Sequence, residues 1–545
     1  MTSDSSFPLR FGPVSRRTFL GASGAAAATL LIGRSGQAFA AETPQKGGTL
    51  TMAIWPDPTA LVCAFTTSDQ VLLASSKMTE GLVAYGYDFK PQPRLATAWQ
   101  LSPDGLTATF TLRQGVKWHD GKDFTSADVA FSFMQLLKPN HPRGRGTFAN
   151  LTAVDTPDDH TAILRFSKPS PMAMNALSAF ESPILPKHVY EQGDPLRNPA
   201  NNAPIGTGPF KFVEWNRGSH ITLERFDGYW AKEKPLLDRI VMRVINDASS
   251  RAAALETGEI LLAGPNPVPY SELARFRSNA KFDVETRGEE LLQHAQAIQV
   301  NLRNPALAKL EVRQAILQAV NRENLARAVW YQSGKPATSP IPYQAGDIRL
   351  ANPPAYPFDP KKSEALLDAA GFPRGADKTR LKLRLDWVPL GEANLRAAEF
   401  IKQSLQRVGI EVSIRSSDLP TYLKAIYTDY DYDLNVFLYA PIFDPSMGLQ
   451  RFYWSKAAKA GSPFVNASGY ASPEMDKVLE AAGTEIDPDK RKALFHEFQK
   501  LAMTDLPILP LLDLDYTCII NKRVHDVMAM PEGIRGSFAD VWLSA

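Results

Sequence analysis

A chain of 545 residues is longer than one ordinary core can organise and calls for two or three domains, and 44% hydrophobic with 22% charged residues is the balance of a globular protein. Lys and Arg (60) nearly match Asp and Glu (58), for a formal charge of +2, which points away from nucleic acid and from acidic membrane surfaces as partners. Only Cys63 and Cys518 are present and the eight His are scattered singly, so neither a disulfide framework nor a metal-ligand cluster organises the chain.

The first forty residues read as an address rather than as structure. Ser15-Arg16-Arg17-Thr18-Phe19-Leu20 carries the twin-arginine export pattern, the modestly apolar run from Gly21 to Gly33 is too short to span a bilayer, and Ala38-Phe39-Ala40 is a small-x-small cleavage site. Residues 1–40 are expected to be a signal peptide, with Arg16 and Arg17 as its recognition pair. Its loss removes four arginines and one aspartate, so the charge moves from +2 to −1. A folded protein in a bacterial periplasm follows. Neither cysteine stands where a lipid-acceptor cysteine would, so the mature chain is expected to be free. Whether the two thiols pair there is left to geometry.

Gly47 to Trp55 reads as a turn and a strand closed by Pro56-Asp57-Pro58. Ser102-Pro103-Asp104-Gly105 is turn chemistry, and after it Leu106, Ala108, Phe110 and Leu112 alternate with polar residues, which predicts a hairpin with one buried face. Thr125 with Asp128 predicts a capping box opening a helix. Residues 152–166 predict a strand pair turning at Asp158-Asp159. In PIGTGPFKFVEW, from Pro204 to Trp215, Gly206 and Gly208 supply backbone angles closed to other residues. Val312 to Val329 predicts one helix, with Arg313 in a structural ion pair, and Ser363 to Ala370 another, stopped by Gly371. Leu381, Leu383 and Leu385 on a strand, Leu395 to Val408 on a helix, Gly409, and Ile410 to Ile414 on a strand form a βαβ unit, which predicts a mostly parallel sheet.

The block LRQGVKWHDGKDFTSADVAFS, from Leu112 to Ser132, resembles the signature of the peptide/nickel family of extracytoplasmic solute-binding proteins, family 5, which serve ABC importers. Segments such as PIGTGPF, RAAALETGE and VRQAILQAVNRENL extend the resemblance. It implies an α/β fold of the type II periplasmic binding protein kind: two lobes around a cleft, with an extra domain inserted in the first lobe. The implied division is a first lobe over 41–86 and 204–298, an inserted subdomain over 87–203, a second lobe over 299–505, and a return to the first lobe over 506–545 through LPILPLLDLDY. The resemblance also implies a small-molecule or peptide ligand and, as partners, an inner-membrane ABC permease with its ATPase subunits. A monomer is expected, with no nucleic-acid partner and no cofactor or metal.

Ligand contacts are expected at Trp55, at Gly208 in the Gly-Thr-Gly-Pro turn, and in the aromatic, Gly- and Pro-rich stretch 431–470, where Tyr439, Pro441, Asp444, Arg451, Trp454 and Phe464 are the candidates. Each aromatic there can equally be core. Peptide-binding members of the family place an acid a few residues before Asp-Pro to meet a ligand's α-amino group. This chain has Pro441 near that point and keeps only Asp444-Pro445. Arg451 offers a planar fork for a ligand carboxylate. The departure leaves opines, modified peptides, glycoconjugates and a chelated metal or haem as alternative cargoes. Trp118, His119 and Asp120 read as framework. An enzyme is not expected: His496-Glu497 begins a zinc-protease pattern but Lys500 stands where the second His belongs, and no Gly-x-Ser-x-Gly elbow occurs. A secreted hydrolase on a similar scaffold is the rival from another class.

Overall fold

The computed structural model describes residues 43–545; the export signal, with Arg16 and Arg17, lies outside the described residues. Two large sheets organise the chain. The first holds seven strands in the order Phe282–Glu285, Cys518–Asn521, Leu262–Ala263, Thr49–Ile54, Arg239–Val244, His220–Arg225 and Phe210–Asn216. Thr49–Ile54 runs parallel to Arg239–Val244 from Thr49 opposite Arg239 to Ile54 opposite Val244. The second sheet holds six strands in the order Gly334–Pro336, Ile508–Leu514, Ala295–Val300, Leu434–Tyr439, Leu381–Trp387 and Ile410–Arg415. The expected βαβ unit is present: Leu381–Trp387 pairs in parallel with Ile410–Arg415 across the helix Glu392–Arg407, whose Ala397, Ala398, Ile401 and Leu405 are buried.

That sheet is mixed, however, not mostly parallel. Leu381–Trp387 has parallel neighbours on both sides, whereas Ala295–Val300 pairs antiparallel with Leu434–Tyr439 and with Ile508–Leu514, and Gly334–Pro336 also pairs antiparallel. Two boundaries shift with it. The strand Ala295–Val300 stands whole in the six-stranded sheet, so the chain passes between lobes over 286–294, before residue 298. Ile508–Leu514 is also a second-lobe strand, and the first lobe is regained only at Cys518–Asn521. All seven residues of Ile508–Leu514 are buried, so its sequence shows no outward face by which to assign it to one sheet.

Between the first two parts of the seven-stranded lobe stands a four-stranded antiparallel sheet, ordered Ala96–Leu101, Thr107–Leu112, Thr161–Phe166 and Leu151–Asp158. Its inner residues Ala108, Phe110 and Leu112 pack with Ala162, Leu164 and Phe166 on Trp118, Phe133 and Phe148, as the alternation predicts. The Thr125–Asp128 capping box forms, with Thr125 N–H donating to Asp128 Oδ2 at 2.9 Å.

Other local expectations change in detail. The helix expected from Val312 to Val329 is two, Leu310–Ala319 and Arg322–Ala328, because the Asn321 side chain accepts from Asn324 N–H and starts a new helix. Arg313 is structural but makes no ion pair among the described residues; it donates to the carbonyls of Asp505, Leu307 and Ala308 at 2.8–3.1 Å. Gly206 and Gly208 are required by close approach, not by a positive φ: a Cβ would lie 1.8 Å from Met78 O at Gly206 and 2.6 Å from Met78 C at Gly208. His119 anchors the same turn, accepting at Nδ1 from Gly206 N–H at 3.2 Å and reaching Gly208 O with Nε2 at 3.0 Å. Burial pushes its pKa down to about 4, so it is neutral framework. Cys63 and Cys518 are both buried free thiols. No helix among the described residues is long and apolar enough to cross a membrane.

Candidate functional site

In the first lobe Thr49–Ile54 delivers Trp55 to its edge, where the ring carries the Arg251 guanidinium at 4.0 Å from its centroid. Arg251, from the helix Ala248–Thr257, donates Nε to Pro267 O at 2.6 Å and Nη1 to Ile245 O and Asn246 O at 2.9 and 2.8 Å. It thereby ties two loops under Trp55, while Gln70 Nε2 holds the Trp55 carbonyl at 2.9 Å.

The second lobe supplies the opposing wall. Trp330 follows the helix Arg322–Ala328, and its Nε1 donates to Gln296 Oε1 at 3.2 Å, with Gln296 in turn donating to Asn394 at 2.9 Å. That chain fixes the ring without using it up. Tyr270 of the first lobe meets Trp330 of the second edge to face, centroids 5.3 Å apart. Around this contact lies a cavity of about 450 Å³, bounded by Trp55, Arg251, Tyr270 and Tyr516 on one side and by Trp330, Tyr331, Leu390 and Glu392 on the other. That volume is in the range of about 300–1,000 Å³ typical of small-molecule sites. Arg396 on the same wall pairs with Glu392 at 2.7 Å, so Arg251 leaves the lining with a surplus of one positive charge.

Two connecting segments, 286–294 and 515–517, join the lobes behind the cavity. His294 stacks on Tyr516 at 3.8 Å, and Glu289 accepts from Arg535, which also forks onto Asp69. The connectors are therefore pinned to the first lobe while their far ends enter the second-lobe sheet. A hinge needs that arrangement: a few residues able to turn between two rigid bodies.

A second contact between the lobes lies at the turn after Leu434–Tyr439. Ile442 and Met447 are buried in the core of the inserted subdomain, and Phe443 meets Tyr85 at 6.1 Å and Phe180 at 5.0 Å. Pro441 and Asp444 border a small cavity of about 80 Å³ there, with Asn175 across the interface. Asp444 is buried and fully engaged: Arg491 forks onto it at 2.6 and 2.8 Å, Asn175 Nδ2 donates at 2.7 Å and Ser446 N–H at 2.8 Å. Burial alone would raise its pKa, but the Arg491 guanidinium and these hydrogen bonds outweigh burial and hold the carboxyl below its ordinary value.

The remaining candidates separate. Trp55 is on the large cavity. Gly208 packs against Met78 and donates its N–H to Met78 O at 2.9 Å, serving the turn. Tyr439 lies in the second-lobe core beside Phe437 and Phe452, its hydroxyl without a partner among the described residues. Trp454 donates to Glu480 at 3.0 Å at the surface, and Phe464 packs on Tyr427 at 5.5 Å with φ 54°. Arg451 is half-buried near the inserted subdomain. Trp330 and Tyr331 were not singled out from the sequence; a Trp-Tyr at a helix end was the available signal. Among the described residues no three His, Cys, Asp or Glu side chains are grouped to hold a metal ion.

Two α/β lobes, two connectors and an aromatic cavity shared between the lobes define a two-lobed solute-binding protein. The chain belongs to the bacterial extracellular solute-binding proteins, family 5, whose model matches residues 90–461. It is 27% identical over 459 residues to the glutathione-binding protein GsiB of Salmonella typhi, covering 83% of this chain and 86% of that one. Among solved structures it is similar to the periplasmic binding protein DppA of Helicobacter pylori in complex with the peptide STSA, at 27% identity, a TM-score of 0.75, and coverage of 92% and 99% of the two chains. It is also similar to AgaA from A. tumefaciens R10 in complex with agropinic acid, at 27% identity, a TM-score of 0.72, and coverage of 91% and 99%.

Proposed function

We propose that this chain is the periplasmic binding component of an ABC importer, exported by the twin-arginine route, which captures a peptide-like solute between its lobes and hands it unchanged to a membrane permease and its ATPase subunits. The observation that carries the reading is the cavity of about 450 Å³ walled by both lobes, with Tyr270 and Trp330 touching across it. A solute that bridges these walls binds the closed arrangement better than the open one, and a differential of about 5.5 kcal/mol moves a population from 1:99 to 99:1. A micromolar ligand corresponds to about −8 kcal/mol, enough to supply that differential. No bond is made or broken in this cycle, so the site is a binder and not an active site. Peptides as cargo are supported by the glutathione- and peptide-binding relatives; the opine complex of AgaA keeps opines as the second reading, favoured by Pro441 and by the engagement of Asp444 with Arg491.

The test is a thermal-shift screen of dipeptides, tripeptides, glutathione and opines. A ligand at 100 times its Kd adds about 2.7 kcal/mol of stability. A rise in Tm with peptides and their recovery unaltered supports the proposal; cleaved peptide, or protection by none of these solutes, overturns it.

A further inference from the structure

The charged and amide side chains that line the cavity between the lobes are already engaged within the protein. Arg251 spends Nε and Nη1 on three backbone carbonyls, Asn266 Oδ1 accepts from Thr517 N–H at 2.9 Å, and Arg396 Nε and Nη2 both meet Glu392 Oε1, at 3.0 and 2.7 Å. What the walls chiefly offer a guest is therefore ring surface: Trp55, Tyr270 and Tyr516 on one side, Trp330 and Tyr331 on the other. Part of that surface is in use. Arg251 lies over Trp55, His294 stacks on Tyr516, and Trp330 is buried with its Nε1 tied to Gln296 and its ring against Tyr270. Tyr331 differs: it is 38% exposed, and Leu390 on the same wall is 50% exposed. Adjacent large apolar side chains left open on a cavity wall are contact area for a guest.

The backbone at Tyr331 runs against local preference. The helix Arg322–Ala328 ends just before it, where a chain reversal ordinarily uses glycine, yet Tyr331 and Gln332 both take the left-handed conformation, with φ 49° and 65°. The turn is fixed by Gln332 N–H donating to Ala326 O at 3.0 Å and Ser333 N–H to Trp330 O at 2.8 Å. Left-handed backbone at non-glycine residues costs stability and clusters where a side chain is presented to a ligand. Core packing does not account for a ring that stands exposed. We propose that Tyr331, with Leu390, is a specificity residue that covers an aromatic side chain of the solute against Trp330 and Tyr270, so that peptides carrying Phe, Tyr or Trp are the substrate class. Ring-to-ring contact rewards such a guest through area and geometry, with no charge required on either side. The proposal rests on the solute-binding reading above.

Calorimetry on the full mature chain compares Ala-Phe-Ala with trialanine, in wild type and in Tyr331→Phe, Tyr331→Asn and Tyr331→Gly. Wild type is expected to bind Ala-Phe-Ala at least about tenfold more tightly, from the apolar area of the added ring. Tyr331→Phe should keep that preference. Tyr331→Asn and Tyr331→Gly, which suit left-handed backbone but carry no ring, should weaken Ala-Phe-Ala by about 2- to 12-fold and leave trialanine unchanged. The Tm of Tyr331→Gly should be no lower than that of wild type, because glycine adopts this φ freely. A residue needed only for folding would instead lower Tm and weaken both peptides alike, and that result overturns the proposal. Equal affinity of wild type for the two peptides, or an undiminished preference in Tyr331→Asn, also overturns it and leaves solute binding standing. Binding of neither peptide overturns the proposal and the peptide reading together.

Discussion

Replacing Arg491 by methionine keeps most of the apolar stem and leaves the Asp444 carboxylate buried without its cation. In the native protein two guanidinium hydrogen bonds, at 2.6 and 2.8 Å, meet that carboxylate, while Ser446 N–H and Asn175 Nδ2 supply the other donors and remain in the variant. At an effective dielectric of about 20 two unit charges about 4 Å apart interact by about 4 kcal/mol, and breaking a buried pair costs about 3–5 kcal/mol. With two donors remaining, a loss of about 3 kcal/mol is expected. For a lobe of roughly 150–250 residues that is about 6–12 °C in Tm. The pH dependence has a definite sign. In wild type the folded pKa of Asp444 lies below its unfolded value, so its contribution is complete above the unfolded pKa and is lost as pH falls through the folded one. In the variant burial acts unopposed and raises the pKa, so acidification protonates the stranded carboxyl and relieves the penalty. The gap in urea-derived stability between the two proteins should therefore narrow from pH 7 to pH 4. Asp444→Asn should recover much of the loss when combined with Arg491→Met. A loss below about 1 kcal/mol at pH 7, or no recovery in the double variant, refutes the claim that Arg491 is what keeps Asp444 charged.

Gly206→Ala forces a Cβ to within 1.8 Å of Met78 O, with backbone on both sides, and should cost about 3 kcal/mol or more by chemical denaturation; a change under 1 kcal/mol would mean the turn and the helix end move apart freely. Buried Asp513, facing Arg349 at 3.8 Å with Asp515 and Lys335 nearby, has its pKa raised to about 7, chiefly by burial. Its folded value lies above its unfolded one, so the stability it contributes is complete below the unfolded pKa and fades as pH rises toward 7. Asp513→Asn should then gain on wild type between pH 4.5 and pH 8 in parallel melts, and a constant difference would contradict the assignment. Tyr270→Ala removes an edge-to-face pair across the lobes, worth about 0.5–1.5 kcal/mol, and should weaken solute affinity by about 2- to 12-fold in calorimetry; unaltered affinity would place closure elsewhere.

What could be read from the sequence was what neighbouring residues decide. The Thr125–Asp128 cap, the hairpin at Ser102–Gly105 and the βαβ unit over 381–415 rest on spacings of a few residues, and they formed as expected. Sheet membership does not: Ile508–Leu514 is apolar and buried throughout, so nothing in it distinguishes one sheet from the other. The state of Asp444 was equally hidden, because its partners Arg491 and Asn175 lie 47 and 269 residues away and only folding brings them together. That Trp55 closes the first strand was legible because Pro56 and Pro58 follow it. Tyr270 and Trp330 acquire their role only when two lobes meet.

The most direct test of two halves closing on a cargo that leaves unaltered is native mass spectrometry of the mature chain after incubation with a pool of di-, tri- and tetrapeptides. A single non-covalent 1:1 adduct, released on unfolding with the mass of an intact peptide, is the predicted result. A bare chain at millimolar peptide, or release of a shortened fragment, would contradict it.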